Sequence, residues 1–204
     1  DTCAWMENQG FCVTYIKPSA SGEVMLADVE AALRDDTLLV TVMQVNNELG
    51  SVSDIAGIAR LCRERGVISH TDAAQSFGKI PVDVKELGVD LLSLSAHKIY
   101  GPKGIGALYV RRQDGLVVDA QVHGGGHEMG MRSGTLPTHH IVGLASAAQL
   151  MQQEMADQTR RIGDLRDRFI DHLRQIPNAH LNSDPAVFIP QIINVAFEGV
   201  DGET

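Results

Sequence analysis

Lys98 is the residue of this 204-residue chain whose type and position most clearly permit chemistry. A mostly apolar run at residues 89–94 predicts a buried strand, and the sequence Ser-Ala-His-Lys at residues 95–98 follows it directly. Glycine and proline residues between 101 and 106 then break the chain before a second apolar run at residues 107–110. In open α/β sheets, ligands bind beyond the carboxyl ends of the strands, where Lys98 is expected. A lysine there can attack a carbonyl carbon if burial or nearby cations lower its pKa from about 10.4 toward roughly 7–8.

The glycine-rich turn around Lys98 also permits a simpler interpretation, in which Lys98 is an ordinary solvated lysine. A phosphate-binding P-loop is excluded, because that motif places two glycines before a Lys-Ser/Thr pair that opens a helix. Here a strand is predicted after Gly106. The turn by itself therefore leaves a nucleophilic amine and a solvated lysine as alternatives.

Two further predicted strands end in residues that suit a cofactor site. Asp72 falls at the carboxyl end of a short strand at residues 67–71, and Asn47 follows a strand at residues 38–45. The ends of three strands therefore carry an amide, a carboxylate and an amine. Pyridoxal phosphate requires a matching set: a lysine for its aldehyde, a carboxylate for its pyridinium nitrogen and a donor for its phenolate oxygen. The sequence therefore predicts a pyridoxal phosphate site at this edge of the sheet.

Each of these residues also has an ordinary structural explanation. Asp72 suits an Asx turn or a helix cap, and Asn46 and Asn47 suit turn chemistry. His70 and His97 suit ordinary hydrogen-bonded imidazoles. The cofactor site is favoured, because the structural interpretation requires every one of these separate explanations to be correct at the same edge of one sheet.

No metal site is predicted. The segment His-Gly-Gly-Gly-His-Glu at residues 123–128 contains residue types that bind metals. Glycine-rich flanks hold ligands poorly, however, and the sequence offers no further ligand nearby.

Four longer segments resemble one known family. They are VNNELG at residues 45–50, DAAQ at 72–75, SAHKIYGPKGIGALYVR at 95–111 and GGGHEMGMRSGT at 124–135. The likeness extends over nearly the whole chain and is to the cysteine desulfurases, closest to the branch that supplies sulfur for iron–sulfur clusters and tRNA thiolation. It implies an enzyme that uses pyridoxal phosphate to convert L-cysteine to L-alanine and an enzyme-bound persulfide.

The resemblance implies a role for each matching residue. Lys98 matches the catalytic lysine that holds the cofactor covalently. Asp72 matches the carboxylate that pairs with the pyridinium nitrogen and keeps it protonated. Gln75 matches a donor to the phenolate oxygen, and Asn47 matches a residue beside the same edge of the ring.

The remaining matches concern the cofactor phosphate and the partners. Ser95 and His97 match phosphate contacts, and Thr135 matches a phosphate contact that family members receive from the partner subunit. The resemblance therefore implies a homodimer whose interface crosses the active site. It also implies iron–sulfur scaffold proteins and other sulfur-acceptor proteins as partners, with no direct contact to nucleic acid.

Some features of the family have no match in this chain. The persulfide cysteine matches none of Cys3, Cys12 and Cys62. An N-terminal Gly-Thr phosphate turn, a histidine that stacks on the pyridine ring and a C-terminal arginine for the substrate carboxylate are also absent. We therefore expect an internal fragment that lacks both ends and is itself inactive. The alternatives are another enzyme of the class-V aminotransferase type, an aminotransferase or a selenocysteine lyase, and a truncated form that only binds a partner or dimerises.

The elements that must position these residues predict an α/β fold. A strand, a helix at residues 54–65 capped by Ser53 and another strand form a βαβ unit, so the strands should be parallel. The run at 107–110 should return antiparallel. The resemblance implies a fold-type-I pyridoxal phosphate transferase with a mostly parallel sheet flanked by helices.

The second half of the chain predicts a division into domains. A helical pattern from 137 to about 176, with a possible bend at Gly163, links two parts. Residues 1–155 are predicted to belong to a large cofactor-binding domain, and residues 156–204 to begin a smaller α+β domain. Short strands are predicted at residues 11–16 and 191–197.

The composition limits the classes of binding partner and the cellular compartment that we predict. A net charge of −9 argues against a nucleic-acid face and against binding to an anionic membrane surface. The sequence has no apolar run of about 18 residues, so no membrane span is predicted, and no signal peptide is evident. Three cysteines at no metal-binding spacing fit a reducing compartment. The expected location is the bacterial cytoplasm, or the mitochondrial matrix in a eukaryote.

Overall fold

A four-stranded sheet forms the centre of the structure, a computed structural model that describes residues 1–113, 116–184 and 186–202. Its strands, in spatial order, are β1 (Leu39–Met43), β2 (Ile68–Asp72), β3 (Leu91–Ser95) and β4 (Gly106–Val110). The first three strands are parallel and β4 is antiparallel to β3. The predicted α/β fold with a mostly parallel sheet is therefore confirmed.

The remaining regular elements of the described residues are helices and a small second sheet. The helices are α1 (Thr2–Asn8), α2 (Leu26–Ala32), α3 (Ile55–Glu64), α4 (Val84–Leu87) and α5 (Thr138–Leu173). Two single turns of 3₁₀-helix lie at Ala96–Ile99 and Glu128–Gly130, and β5 (Ala179–Leu181) pairs antiparallel with β6 (Val195–Phe197). Within the described ranges, no helix has both the length and the apolar character that a membrane crossing requires.

Helix α3 covers one face of the sheet because its apolar residues recur at helical spacing. Ile55, Ile58 and Cys62 are buried in the hydrophobic core, as their spacing predicts. The helix begins after Asp54, whose carboxylate accepts a hydrogen bond from the backbone N–H of Gly57 at 2.9 Å. The predicted cap, Ser53, is therefore wrong by one residue. Both residue types cap helices well, so their order alone did not decide between them.

The register of the strands gives the two faces of the sheet different roles. Val42, Thr71 and Leu92 are paired across β1, β2 and β3 on the face that packs against the helices, and all three are buried. Side chains alternate along a strand, so the next residue of β2, Asp72, points to the opposite face. Asp72 is only half-buried, which shows that this second face is less covered.

Other predictions about the elements need correction. The predicted strand at residues 11–16 is absent, because no strand of the described chain lies beside this segment and supplies ladder hydrogen bonds. The predicted strand at 191–197 is paired only over its last three residues. Helix α5 is continuous through Gly163, the position at which the sequence suggests a bend. The proposed domain boundary at residue 155 lies inside α5, and the division itself stays a prediction.

Gly78 permits close contact between two turns at the carboxyl edge of the sheet. Its φ is +76°, and a Cβ atom there would lie 2.7 Å from Cγ2 of Ile99. Gly66 has a similar φ of +68°, but a Cβ atom there would have no neighbour within 4 Å. The two positions therefore share the backbone requirement and differ in the space around them.

We expect Gly78→Ala to destabilise the protein more than Gly66→Ala. Both substitutions carry the left-handed backbone cost of about 1–2 kcal/mol, and Gly78→Ala adds a steric clash that costs roughly 1–3 kcal/mol. Urea unfolding of both variants measures the difference directly. Equal losses in the two variants would show that the turns do not press together at Gly78.

Candidate active site

The register of the sheet brings the predicted site segments to one edge. Met43, Asp72 and Ser93 are direct neighbours across β1, β2 and β3. Because these strands are parallel, the segments that follow them leave at the same edge. The sequence prediction that a carboxylate and Lys98 share this edge agrees with that topology.

Asp72 has one carboxylate oxygen engaged by the backbone. Its Oδ1 accepts a hydrogen bond from the N–H of Ala74 at 2.8 Å, which makes the Asx turn that the sequence allowed. Among the described residues, Oδ2 has no hydrogen-bond partner. The structural use of Asp72 therefore leaves an anionic oxygen for a cationic group.

His70 lies on the same strand face as Asp72, two residues earlier. Its Nδ1 is 2.7 Å from Oγ1 of Thr41, a hydrogen-bond distance. Burial lowers the pKa of His70 below 6.5, and the negative charge of Asp72 opposes this effect. Burial therefore disfavours the charged imidazolium, and His70 is the ordinary hydrogen-bonded histidine that the sequence allowed.

Gln75 and Lys79 form a pair in the turn that follows β2. Gln75 is only 9% exposed, and its Oε1 accepts a hydrogen bond from Nζ of Lys79 at 2.6 Å. Burial lowers the pKa of Lys79 below 10.5, and the positive charge of Lys98 lowers it further. Lys98 therefore lies close enough to this pair to act on it electrostatically. Sequence reasoning missed Lys79, although its four-residue spacing from Gln75 permits side-chain contact in a helical turn.

Lys98 lies on the single 3₁₀ turn that follows β3. The turn is anchored by Ala96 and Ile99, which are buried, whereas His97 and Lys98 are exposed. The N–H of Ala96 donates to the carbonyl of Ile105 at 3.1 Å, which closes the glycine-rich loop behind the turn. The anchored turn thus presents the Lys98 amine on its open side.

Ser95 and His97 are joined beside Lys98. Oγ of Ser95 and Nδ1 of His97 are 2.7 Å apart, and their hydrogen bond links the last residue of β3 to the turn. The tautomer of a neutral His97 decides which donor is left for an anion: Nε2–H if Ser95 donates to Nδ1, or the Ser95 hydroxyl if Nδ1–H donates to Ser95. Their assignment to a phosphate stays a prediction.

The structure does not join Asn47 and Thr135 to the other candidates. Oδ1 of Asn46 accepts hydrogen bonds from the N–H groups of Glu48 and Leu49, both at 2.9 Å, so Asn46 is used as a turn residue. Asn47 is exposed in the same turn, and Thr135 is exposed just before α5. Within the described part of the chain, no hydrogen bond connects either residue to Asp72, Gln75 or Lys98.

The cysteines differ in their access to solvent. Cys12 is exposed, Cys3 is half-buried, and Cys62 is fully buried in the core. Burial raises the pKa of the Cys62 thiol from 9.0 to about 11, with a smaller contribution from the charge of Asp90. The raised pKa stabilises the folded state below pH 9.0, and this contribution is lost as the pH rises through about 11. Cys62 is therefore unsuited to nucleophilic chemistry.

A thiol-specific reagent at about pH 8 is expected to modify Cys12 and to leave Cys62 unmodified. The thiolate is the reactive form, and Cys62 is both buried and protonated at this pH. Mass spectrometry of the native and the denatured protein reads each site separately. Modification of Cys62 in the native protein as fast as that of Cys12 would contradict the buried position.

A metal centre has no geometric basis in the described residues. None of their histidine, cysteine, aspartate and glutamate side chains forms a group of three or more that is arranged to hold an ion.

Comparisons with known proteins connect this site to a family. Residues 2–204 match the family Aminotransferase class-V. The cysteine desulfurases IscS of Proteus mirabilis and of Escherichia coli K12 are each 53% identical to the chain over 204 residues, all of this chain and 50% of each relative. The chain thus spans about half the length of the curated relatives that it matches. The resemblance to cysteine desulfurases is confirmed at this level.

Solved structures agree with the sequence relatives. A NifS-like protein superposes with a TM-score of 0.94 at 33% identity, covering 99% of this chain and 55% of that protein. DndA from Streptomyces lividans gives 0.90 at 38% identity, covering 98% and 57%. SspA in complex with cysteine gives 0.82 at 42% identity, covering 97% and 54%. The chain therefore belongs to the class-V aminotransferase family and has the α/β fold of the fold-type-I pyridoxal phosphate enzymes.

Proposed function

We propose that the protein carrying this chain is a cysteine desulfurase, which removes sulfur from L-cysteine to give L-alanine and a protein-bound persulfide. One observation carries the proposal: Asp72, the Gln75–Lys79 pair and Lys98 meet at one edge of a parallel sheet. The relatives named IscS and the solved complex of SspA with cysteine support the choice of reaction and substrate.

The donor set at this edge fits pyridoxal phosphate. The half-buried Asp72 offers its free Oδ2 to a pyridinium N–H, and the buried Gln75 offers an amide N–H₂ group to a phenolate oxygen. Lys98 supplies the amine for the aldehyde. A carboxylate, an amide donor and an accessible amine are the groups that this cofactor requires.

Bound pyridoxal phosphate would supply an electron sink for the carbon next to the substrate amine. Asp72 would hold the proton on the ring nitrogen by its negative charge. Lys98 would act as a general base and acid that moves protons at the substrate carbons. The half-buried position of Lys79 beside Lys98 places a second ammonium at this edge, which adds to the attraction for anionic ligands.

Ser95 and His97 would contact the cofactor phosphate, and Asn47 would lie beside the ring. Thr135 would reach the phosphate of a second copy, which requires a homodimer with an interface across the active site. The exposed position of Thr135 before α5 is compatible with this cross-subunit role. We extend the proposal to two domains, with residues 1–155 in the larger and residues 156–204 in the smaller.

The proposed product defines the partners. A protein-bound persulfide must pass its sulfur to acceptors, which we propose to be iron–sulfur scaffold proteins and the carriers for tRNA thiolation. The thiol that receives the sulfur is none of Cys3, Cys12 and Cys62 in this proposal. The proposed compartment is the reducing cytoplasm of a bacterium.

The test is product analysis with L-cysteine, pyridoxal phosphate and a thiol reductant. The protein that carries this chain is expected to form alanine and sulfide in equal amounts. Lys98→Ala should abolish both products, whereas Lys103→Ala, an exposed lysine of the same loop, should retain them. Transfer of the amino group to a keto acid without alanine formation from L-cysteine would instead identify an aminotransferase.

A further inference from the structure

The Gln75–Lys79 contact fixes the orientation of an amide. A lysine ammonium has three donors and no acceptor, so it can face only the oxygen of a carboxamide. Nζ of Lys79 lies 2.6 Å from Oε1 of Gln75. The N–H₂ end of the Gln75 amide must therefore point away from Lys79.

We infer that Lys79 is a positioning residue, which holds the Gln75 amide with its N–H₂ group available to the phenolate oxygen of the bound cofactor. The inference rests on the proposed function, because it deepens the role given to Gln75. Without Lys79, the amide can turn by 180° and present its oxygen to the phenolate, which would repel it. A carboxamide carries both an acceptor oxygen and a donor N–H₂ group, so a fixed partner on the oxygen is needed to keep the donor group toward the phenolate.

The position of Lys79 is built by the fold and is not that of a freely solvated lysine. Lys79 is half-buried, and both burial and the charge of Lys98 disfavour its ammonium. The preceding residue, Gly78, lies against Ile99, the neighbour of Lys98. The turn that carries the pair is therefore pressed against the turn that carries Lys98. This arrangement holds the Lys79 ammonium against the Gln75 oxygen, although burial and the charge of Lys98 disfavour its charged form.

The first test uses the visible absorption of the bound cofactor, whose pH midpoint reports stabilisation of the phenolate. Lys79→Met is expected to raise this midpoint by roughly 0.5–1 pH unit, because the phenolate loses a donor. It should also weaken cofactor binding by roughly tenfold. Lys79→Arg keeps a donor for Oε1, so it should restore most of the wild-type midpoint.

A double-mutant cycle separates orientation from charge. In a Gln75→Leu background, Lys79→Met should lose at least half of its effect on the midpoint, because no amide remains to be oriented. If Lys79→Met leaves the midpoint unchanged, or keeps more than half of its effect without Gln75, the inference is overturned. In the second case Lys79 acts by its charge alone.

A second test needs no cofactor. Nitrogen-15 NMR of the Lys79 side chain in the cofactor-free protein gives its pKa, which burial and the charge of Lys98 lower from the ordinary lysine value. Gln75→Leu removes the acceptor of the ammonium and should lower this pKa further. An unchanged pKa would overturn the contact. A wild-type protein that shows no cofactor band would refute the proposed function, whereas the NMR result would still decide the Lys79–Gln75 contact.

Discussion

Replacing Lys98 by alanine is expected to lower the turnover of L-cysteine by roughly 10⁴-fold or more. The substitution removes both the amine that holds the cofactor and the group that moves protons at the substrate. A loss of this size corresponds to about 5 kcal/mol of transition-state stabilisation. Product formation, measured as alanine, gives the rate, and the exposed position of Lys98 predicts little change in the free energy of unfolding.

Two controls make the Lys98 result specific. Lys103→Ala changes an exposed lysine of the same loop and should keep the wild-type rate. Lys98→Arg keeps the positive charge but cannot form the covalent attachment, so it should be as inactive as Lys98→Ala. Near-normal alanine formation by Lys98→Ala would remove Lys98 from the reaction.

Asp72→Asn is expected to reduce turnover by roughly 10²–10³-fold while the fold is kept. Oδ1 of asparagine can still accept the hydrogen bond from Ala74 that forms the Asx turn. The neutral amide cannot hold a proton on the ring nitrogen by charge, so the loss should appear in catalysis. Turnover and urea unfolding of the same preparation separate the two effects.

His70 provides an internal readout for the Asp72 substitution. The negative charge of Asp72 raises the pKa of His70 against the effect of burial. Asp72→Asn should therefore let the His70 midpoint fall further below 6.5, as measured by NMR. A shifted His70 midpoint with near-normal turnover would show that the charge is removed without consequence, and the role of Asp72 would be refuted.

The sequence predicted the parts of the site that depend on strand ends. Asp72 and Lys98 each follow an apolar run that predicts a strand. Parallel strands bring their carboxyl ends to one edge of the sheet, independently of how the helices pack. The alternative for Asp72 as an Asx turn proved compatible with the site, because a carboxylate has two oxygens and the turn uses one. Motif likeness supplied the family, which local patterns could not.

Other features depend on contacts that a single sequence does not contain. Lys79 was missed because its importance lies in a turn geometry that places Nζ against Gln75 and near Lys98. The apolar pattern at residues 11–16 has the composition of a strand, but pairing requires a neighbour that the pattern does not specify. The roles predicted for Asn47 and Thr135 rest on motif likeness, because no hydrogen bond among the described residues connects them to the site.

The most direct measurement of the central claim identifies the lysine that holds the cofactor. The holo-protein is reduced with borohydride, digested, and its cofactor-bearing peptide is sequenced by mass spectrometry. The account predicts attachment at Lys98, because Lys98 is exposed on its anchored turn whereas the amine of Lys79 is engaged by Gln75. Attachment at Lys79, whose pKa is lowered by burial and by Lys98, or at any other lysine would contradict the account.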